Sequence, residues 1–119
     1  MSKFADELKK RTRQFGVRIV RVVQSLDEGP TARVLGNQLL RCGTSVGANY
    51  RAACRARSPA EFRAKLGIVE EECDEAIYWL EMMIEVGMKS ETSLADLIQE
   101  ANEILAIVVT SINTSRKNS

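Results

Sequence analysis

The stretch that decides the fold runs from Ser58 to Met83, SPAEFRAKLGIVEEECDEAIYWLEMM. It opens with Ser58-Pro59-Ala60-Glu61. A serine followed three positions later by glutamate is a capping box, and proline at the first helical position presets the backbone for a helix. Phe62, Leu66, Val69, Cys73, Ala76, Leu80 and Met83 then alternate steps of four and three. That period keeps one face of a long helix apolar and fits no strand. Gly87 marks the C-terminal cap.

Upstream, Leu35, Leu39, Cys42, Val46, Tyr50 and Ala53 make a second stripe, with Thr31 as its expected N-cap. The run Gly43-Thr44-Ser45-Val46-Gly47-Ala48-Asn49 has poor helix propensity. The stripe keeps its phase through both glycines, so the small residues predict the close approach of another backbone; a loop break at Gly43 or Gly47 is the alternative. Further upstream, Phe4, Leu8, Phe15, Ile19, Val22 and Leu26 define a first helix, ended by Asp27-Glu28-Gly29-Pro30. Downstream, Leu94, Leu97, Ala101, Ile104, Leu105, Val108 and Ile112 define a fourth, capped by Ser93 or alternatively by Ser90. Four helices with short connections predict an all-α, single antiparallel up-down-up-down four-helix bundle over residues 1–113. Residues 114–119 are expected to form a flexible polar C-terminal tail.

The chain has 119 residues, 45% hydrophobic but only 5% aromatic, and no histidine. Its length suits one domain with a core that needs no staples. The missing histidine removes His-based acid–base chemistry, Ser-His and Cys-His nucleophile pairs, and the Glu-x-x-His element of di-iron bundles. Neither a phosphate-binding glycine motif nor a nucleophile with a partner base is present, so no enzyme, metal or cofactor is expected. Cys42, Cys54 and Cys73 are widely spaced and form no Cys-x-x-Cys pair. Cys42 and Cys73 fall on core stripes, and Cys54 is the more accessible thiol. The charged N-terminus and the absence of a long apolar run predict a cytoplasmic protein without membrane association.

A net charge of +1 hides a division: residues 1–57 carry 12 Lys/Arg against 4 Asp/Glu, and residues 58–119 carry 5 against 12. Such halves either neutralise one another in the bundle or offer a basic surface to nucleic acid. Lys3, Lys10, Arg13 and Arg21 on the first helix, with Arg51 and Arg55 on the second, are the candidate phosphate contacts. The third helix carries a second stripe, Ile68, Glu75, Trp79 and Met82, flanked by Glu72 and Tyr78. Aromatic and sulfur-bearing residues beside carboxylates compose an interface rather than a core. On the second helix, Asn37, Arg41, Thr44 and Ala48 form a flat face of small residues that could receive such a ridge from another copy, head to tail, generating a ring. Across an antiparallel helix pair turning near Arg57, Arg41 lies level with Glu72 and Glu75 and is their natural partner.

The blocks Gln38-Leu39-Leu40-Arg41-Cys42-Gly43-Thr44-Ser45-Val46-Gly47-Ala48-Asn49-Tyr50-Arg51, Arg55-Ala56-Arg57-Ser58, Phe62-Arg63-Ala64-Lys65-Leu66 and Glu72-Cys73-Asp74-Glu75-Ala76-Ile77-Tyr78-Trp79-Leu80-Glu81 together resemble the bacterial four-helix-bundle family of 23S rRNA-intervening-sequence proteins. The likeness runs nearly the whole chain. It departs at Cys42, where serine is usual, at Ala52, where glutamate often follows the arginine, and at Cys73, where alanine is usual. The resemblance implies a cyclic homopentamer with no established enzymatic activity. A related group, the accessory variability determinant proteins, forms a basic barrel that binds nucleic acid and a reverse transcriptase. The function expected is therefore a non-enzymatic nucleic-acid-associated adaptor that binds RNA or DNA, with a reverse transcriptase or another protein as a further candidate partner. The alternative is a protein-interaction ring that touches no nucleic acid.

Overall fold

The computed structural model describes residues 2–118, and among these the secondary structure is helical throughout. Four helices follow one another: α1 (Lys3–Gln24), α2 (Pro30–Cys54), α3 (Pro59–Glu85) and α4 (Glu91–Lys117). They pack as a bundle of about 48 × 22 × 20 Å.

The helix ends follow local chemistry. At α3 the Ser58 hydroxyl accepts the Glu61 N–H at 3.0 Å. The Glu61 carboxylate reaches back to the Arg57 N–H at 2.9 Å, one residue before the usual capping-box partner. The helix closes with Gly87 at φ 79°. There the Gly87 N–H bonds to the Ile84 carbonyl and the Met88 N–H to the Met83 carbonyl. That pair of bonds is a Schellman motif, which needs the left-handed conformation glycine adopts at no steric cost.

One cap differs from the sequence reading, and another resolves to the alternative the sequence offered. α2 begins at Pro30 with Gly29 as N-cap, not at Thr31. Proline supplies no N–H to cap and sets φ itself, so the helix gains its first turn before the threonine. At α4 it is Ser90, not Ser93, whose hydroxyl accepts the N–H of Ser93 at 3.1 Å. α4 also continues past residue 113 to Lys117. There the Arg63 guanidinium donates to the Ser115 carbonyl and hydroxyl at 3.3 and 3.1 Å, an anchor with no apolar signal in the sequence.

The core is drawn from all four helices, with Ile19, Leu39, Leu66, Leu80 and Ile104 among the fully buried side chains. Each such aliphatic side chain contributes roughly 1.5–3 kcal/mol on burial. Cys42 and Cys73 belong to this core, where burial pushes both thiols up to about 12, while Cys54 is half-buried. Phe4, placed on the first stripe, is 56% exposed, because it lies on the first turn of α1 beside the shallow end pocket of Tyr50 and Phe62.

The glycines of α2 do not break it. A Cβ on Gly43 would stand 2.7 Å from both γ-carbons of Ile19, and one on Gly47 would stand 3.2 Å from the backbone of Thr12 and Arg13. They mark the line where α1 and α2 meet almost backbone to backbone. The buried Thr12 fits there by donating its hydroxyl to the Leu8 carbonyl at 2.8 Å within its own helix. α2 packs against both α1 and α3, and α3 against α4, whereas α1 and α4 approach one another more sparingly.

Candidate functional surface: a basic groove and an acidic aromatic ridge

The close α1–α2 approach leaves a long shallow groove of about 730 Å³ along its outer side. Its floor is apolar and small: Gly16, Val17, Val20, Gly47 and Ala48. Its rim carries Lys9, Lys10, Arg13 and Arg51, with Asp6 the one carboxylate. Lys9 is spoken for, its Nζ 3.4 Å from Asp6. Lys10, Arg13 and Arg51 are exposed and make no ion pair among the described residues.

Of the six candidate phosphate contacts, the groove therefore brings three together. Lys3, Arg21 and Arg55 are exposed but stand outside its lining. The groove also contains Thr44 and Ala48, which the sequence placed in a subunit interface. Two surfaces read separately are thus one surface. The face that held Thr44 and Ala48 is itself divided. Asn37 lies at the other end of α2 in a hollow with Val23, Leu26 and Arg33, and Arg41 turns to α3.

On α3 the second stripe is where the sequence put it. Arg41 Nη1 donates to Glu72 at 3.0 Å, and its Nη2 donates to Glu75. Trp79 Nε1 donates to the same Glu75 carboxylate at 3.1 Å. The Tyr78 and Trp79 rings stand edge to face with centroids 5.0 Å apart. Hydrogen bonds from Arg41 and then from Trp79 hold the Glu75 carboxyl below its usual value. This chain fixes Trp79 in one orientation while leaving apolar surface uncovered: Tyr78 is 52% exposed, Ile68 is 39% exposed, and Met82 is half-buried.

Sequence reasoning missed Arg11. Its guanidinium is bidentate on Glu100, at 2.7 Å for each bond, and reaches Glu103 at 2.6 Å. The hydrogen bonds to Glu100 hold it firmly charged, and those from Arg11 and Gln99 lower the Glu103 carboxyl. The signal was available: Arg11 flanks the buried stripe Leu8, Thr12 and Phe15, and Glu100 and Glu103 are one turn apart on α4.

Elsewhere the surface offers little chemistry. Among the described residues, no group of three or more His, Cys, Asp or Glu side chains is placed to hold a metal ion. Among the same residues, no helix is long and apolar enough to cross a membrane.

Comparison with known proteins bears on this surface only through the family. No curated protein matches the chain. Among solved structures, it is similar to a protein of unknown function from the S23 ribosomal protein family of Bacteroides thetaiotaomicron. The two share 33% identity and a TM-score of 0.85, over 92% of this chain and 97% of that one. The family model described as 23S rRNA-intervening sequence protein matches residues 6–110, which takes in both the groove and the ridge. With nearly the whole bundle matched, the chain belongs to the 23S rRNA-intervening sequence protein family.

Proposed function

We propose that this protein is a non-enzymatic, cytoplasmic, nucleic-acid-associated adaptor: an antiparallel up-down-up-down bundle that assembles into a cyclic homo-oligomer. The observation that carries the reading is the α1–α2 groove. Lys10, Arg13 and Arg51 converge on it from two helices with no carboxylate to neutralise them. On the other two seams the cations are engaged instead, since Arg41 holds Glu72 and Glu75 and Arg11 holds Glu100 and Glu103. Unpaired cations on rigid helices bind phosphate without first breaking an internal pair. The resemblance supports a pentamer, in which the groove would repeat around the axis and its contacts would add up.

A scaffolding ring without nucleic acid is the second reading. The ridge favours it, because a hydrogen-bonded tryptophan beside exposed tyrosine and isoleucine is the composition of an interface anchor. The two readings differ in a paired measurement on Lys10→Glu/Arg13→Glu: fluorescence anisotropy with labelled RNA and DNA, and mass by light scattering. Phosphate contact predicts that binding vanishes and the mass is unchanged. Loss of the oligomer would instead assign the groove to subunit packing. A parent protein with the mass of a single chain at micromolar concentration would remove the ring from both readings.

A further inference from the structure

We infer that the nucleic acid taken by the α1–α2 groove is a duplex, held by its phosphate backbone with its bases unread. The inference rests on the proposed nucleic-acid role and names its substrate class. Proteins that hold single strands combine cations with aromatic platforms on which bases stack, and each stacked base is worth about 1–3 kcal/mol. The basic groove has no such platform: its floor is Gly16, Val17, Val20, Gly47 and Ala48. The aromatic residues of the bundle are all elsewhere. Phe15 and Tyr50 are buried in the core. Phe4 and Phe62 line the end pocket. Tyr78 and Trp79 stand on α3 beside Glu72 and Glu75, carboxylates that repel a phosphate backbone.

A single strand in the groove would thus gain phosphate contacts and leave its bases unstacked. A duplex loses nothing of that kind, because its bases are already stacked on one another. Apart from its three cations, the rim has no group free to read base edges: the short Thr44 hydroxyl bonds back to the Leu40 carbonyl at 2.7 Å, and Asp6 is paired with Lys9. Lys10, Arg13 and Arg51 spent on phosphates position a duplex without specifying its sequence. Backbone recognition is open to RNA and DNA duplexes alike.

The test is anisotropy on the full chain across a salt series. Probes are labelled duplexes of about 20 base pairs, two helical turns, in RNA and DNA and in two unrelated sequences, with each component strand alone. We expect either duplex to bind at least about tenfold more tightly than its separate strands, the equivalent of one lost stacking contact. We expect the two sequences to be bound alike. Three phosphate contacts per chain predict a slope of log affinity on log salt of about −3 for each chain that engages the duplex, and Arg13→Gln should flatten it by about 1 for each. Arg13→Lys keeps the charge but loses the planar face, so duplex affinity should stay close to the parent's, whereas a strand stacked on the guanidinium would be released. Circular dichroism establishes that the variants are folded. Single strands bound as tightly as duplexes, or one sequence strongly preferred, would overturn the inference while leaving the nucleic-acid role standing. No binding of any oligonucleotide at low salt would overturn both.

Discussion

The two sides of α2 make opposite uses of charge. Toward α1 the helix presents Gly43, which receives the Ile19 side chain, and Gly47, which meets the Thr12–Arg13 backbone, so no long side chain of α2 itself fits on that side. Toward α3 it presents Arg41, which spans the seam to Glu72 and Glu75. Where side chains mediate the contact, cations and carboxylates meet and cancel. Where glycines mediate it, the charges are pushed to the rim, and Lys10, Arg13 and Arg51 are left facing solvent over an apolar floor. The net charge of this family member is nearly balanced, yet its α1–α2 side keeps a surplus because the packing there leaves no room for pairing.

The largest effect should come from breaking the glycine seam. Gly43→Ala places a carbon against Ile19 at 2.7 Å, with a further Ile19 atom at 3.0 Å. Overpacking costs about 1–3 kcal/mol, offset by about 1 kcal/mol of helix propensity. We expect a net loss of up to about 2 kcal/mol in urea unfolding. Gly67→Ala on α3 is the counterpart: nothing lies within 4 Å of its added carbon. It should stabilise the protein by about 0.5–1 kcal/mol. If both substitutions stabilise, the α1–α2 contact is not set by its glycines and the comparison fails.

A smaller effect separates the two ion-pair bridges. Arg11 joins α1 to α4 where those helices touch least, and its guanidinium, bidentate on Glu100, is on a side chain 35% exposed. Arg41 joins helices already packed along their length, and its side chain is 52% exposed. Exposed pairs are worth little, and a bidentate, better-shielded guanidinium is worth more. Arg11→Gln should therefore lower the melting temperature more than Arg41→Gln, and salt should shrink the difference. The reverse order would mean that the α2–α3 seam depends on its charges after all.

Much of this was legible in the residues. The period of α3 and its Ser58 cap follow from short-range rules, and the level of Arg41 against Glu72 follows from counting back from a turn near Arg57. The glycines of α2 read correctly as a site of backbone approach, since helix propensity alone gives no reason for them. What stayed hidden depends on which side of a helix meets which neighbour. Lys10 and Arg21 look equivalent on one face of the first helix, yet one lines the groove and the other stands outside it. Thr44 and Ala48 looked like one face with Asn37 and Arg41, until the rotation of α2 between two neighbours sent the four to different places. Arg11 flanks the buried stripe of α1, but which carboxylates it meets is decided only once α4 is placed beside it.

The smallest predicted effect is spectroscopic, and it tests the ridge directly. Trp79 is the sole tryptophan, so its emission reports the Glu75 carboxylate to which its Nε1 donates at 3.1 Å. Glu75 is held below its usual value of 4.5 by Arg41 first and Trp79 second. A carboxyl whose folded value is depressed contributes stability that is present above its unfolded value and is lost as pH falls through the folded one. Trp79 emission should therefore hold steady from neutral pH down to about 4.5, the usual value, and change only below it. Arg41→Gln removes the larger cause of the depression, so its transition should move to higher pH. The same midpoint in both proteins would mean that Arg41 does not hold Glu75 in solution. The ridge would then be a flexible acidic surface, and the contrast between the paired and unpaired sides of α2 would lose its paired half.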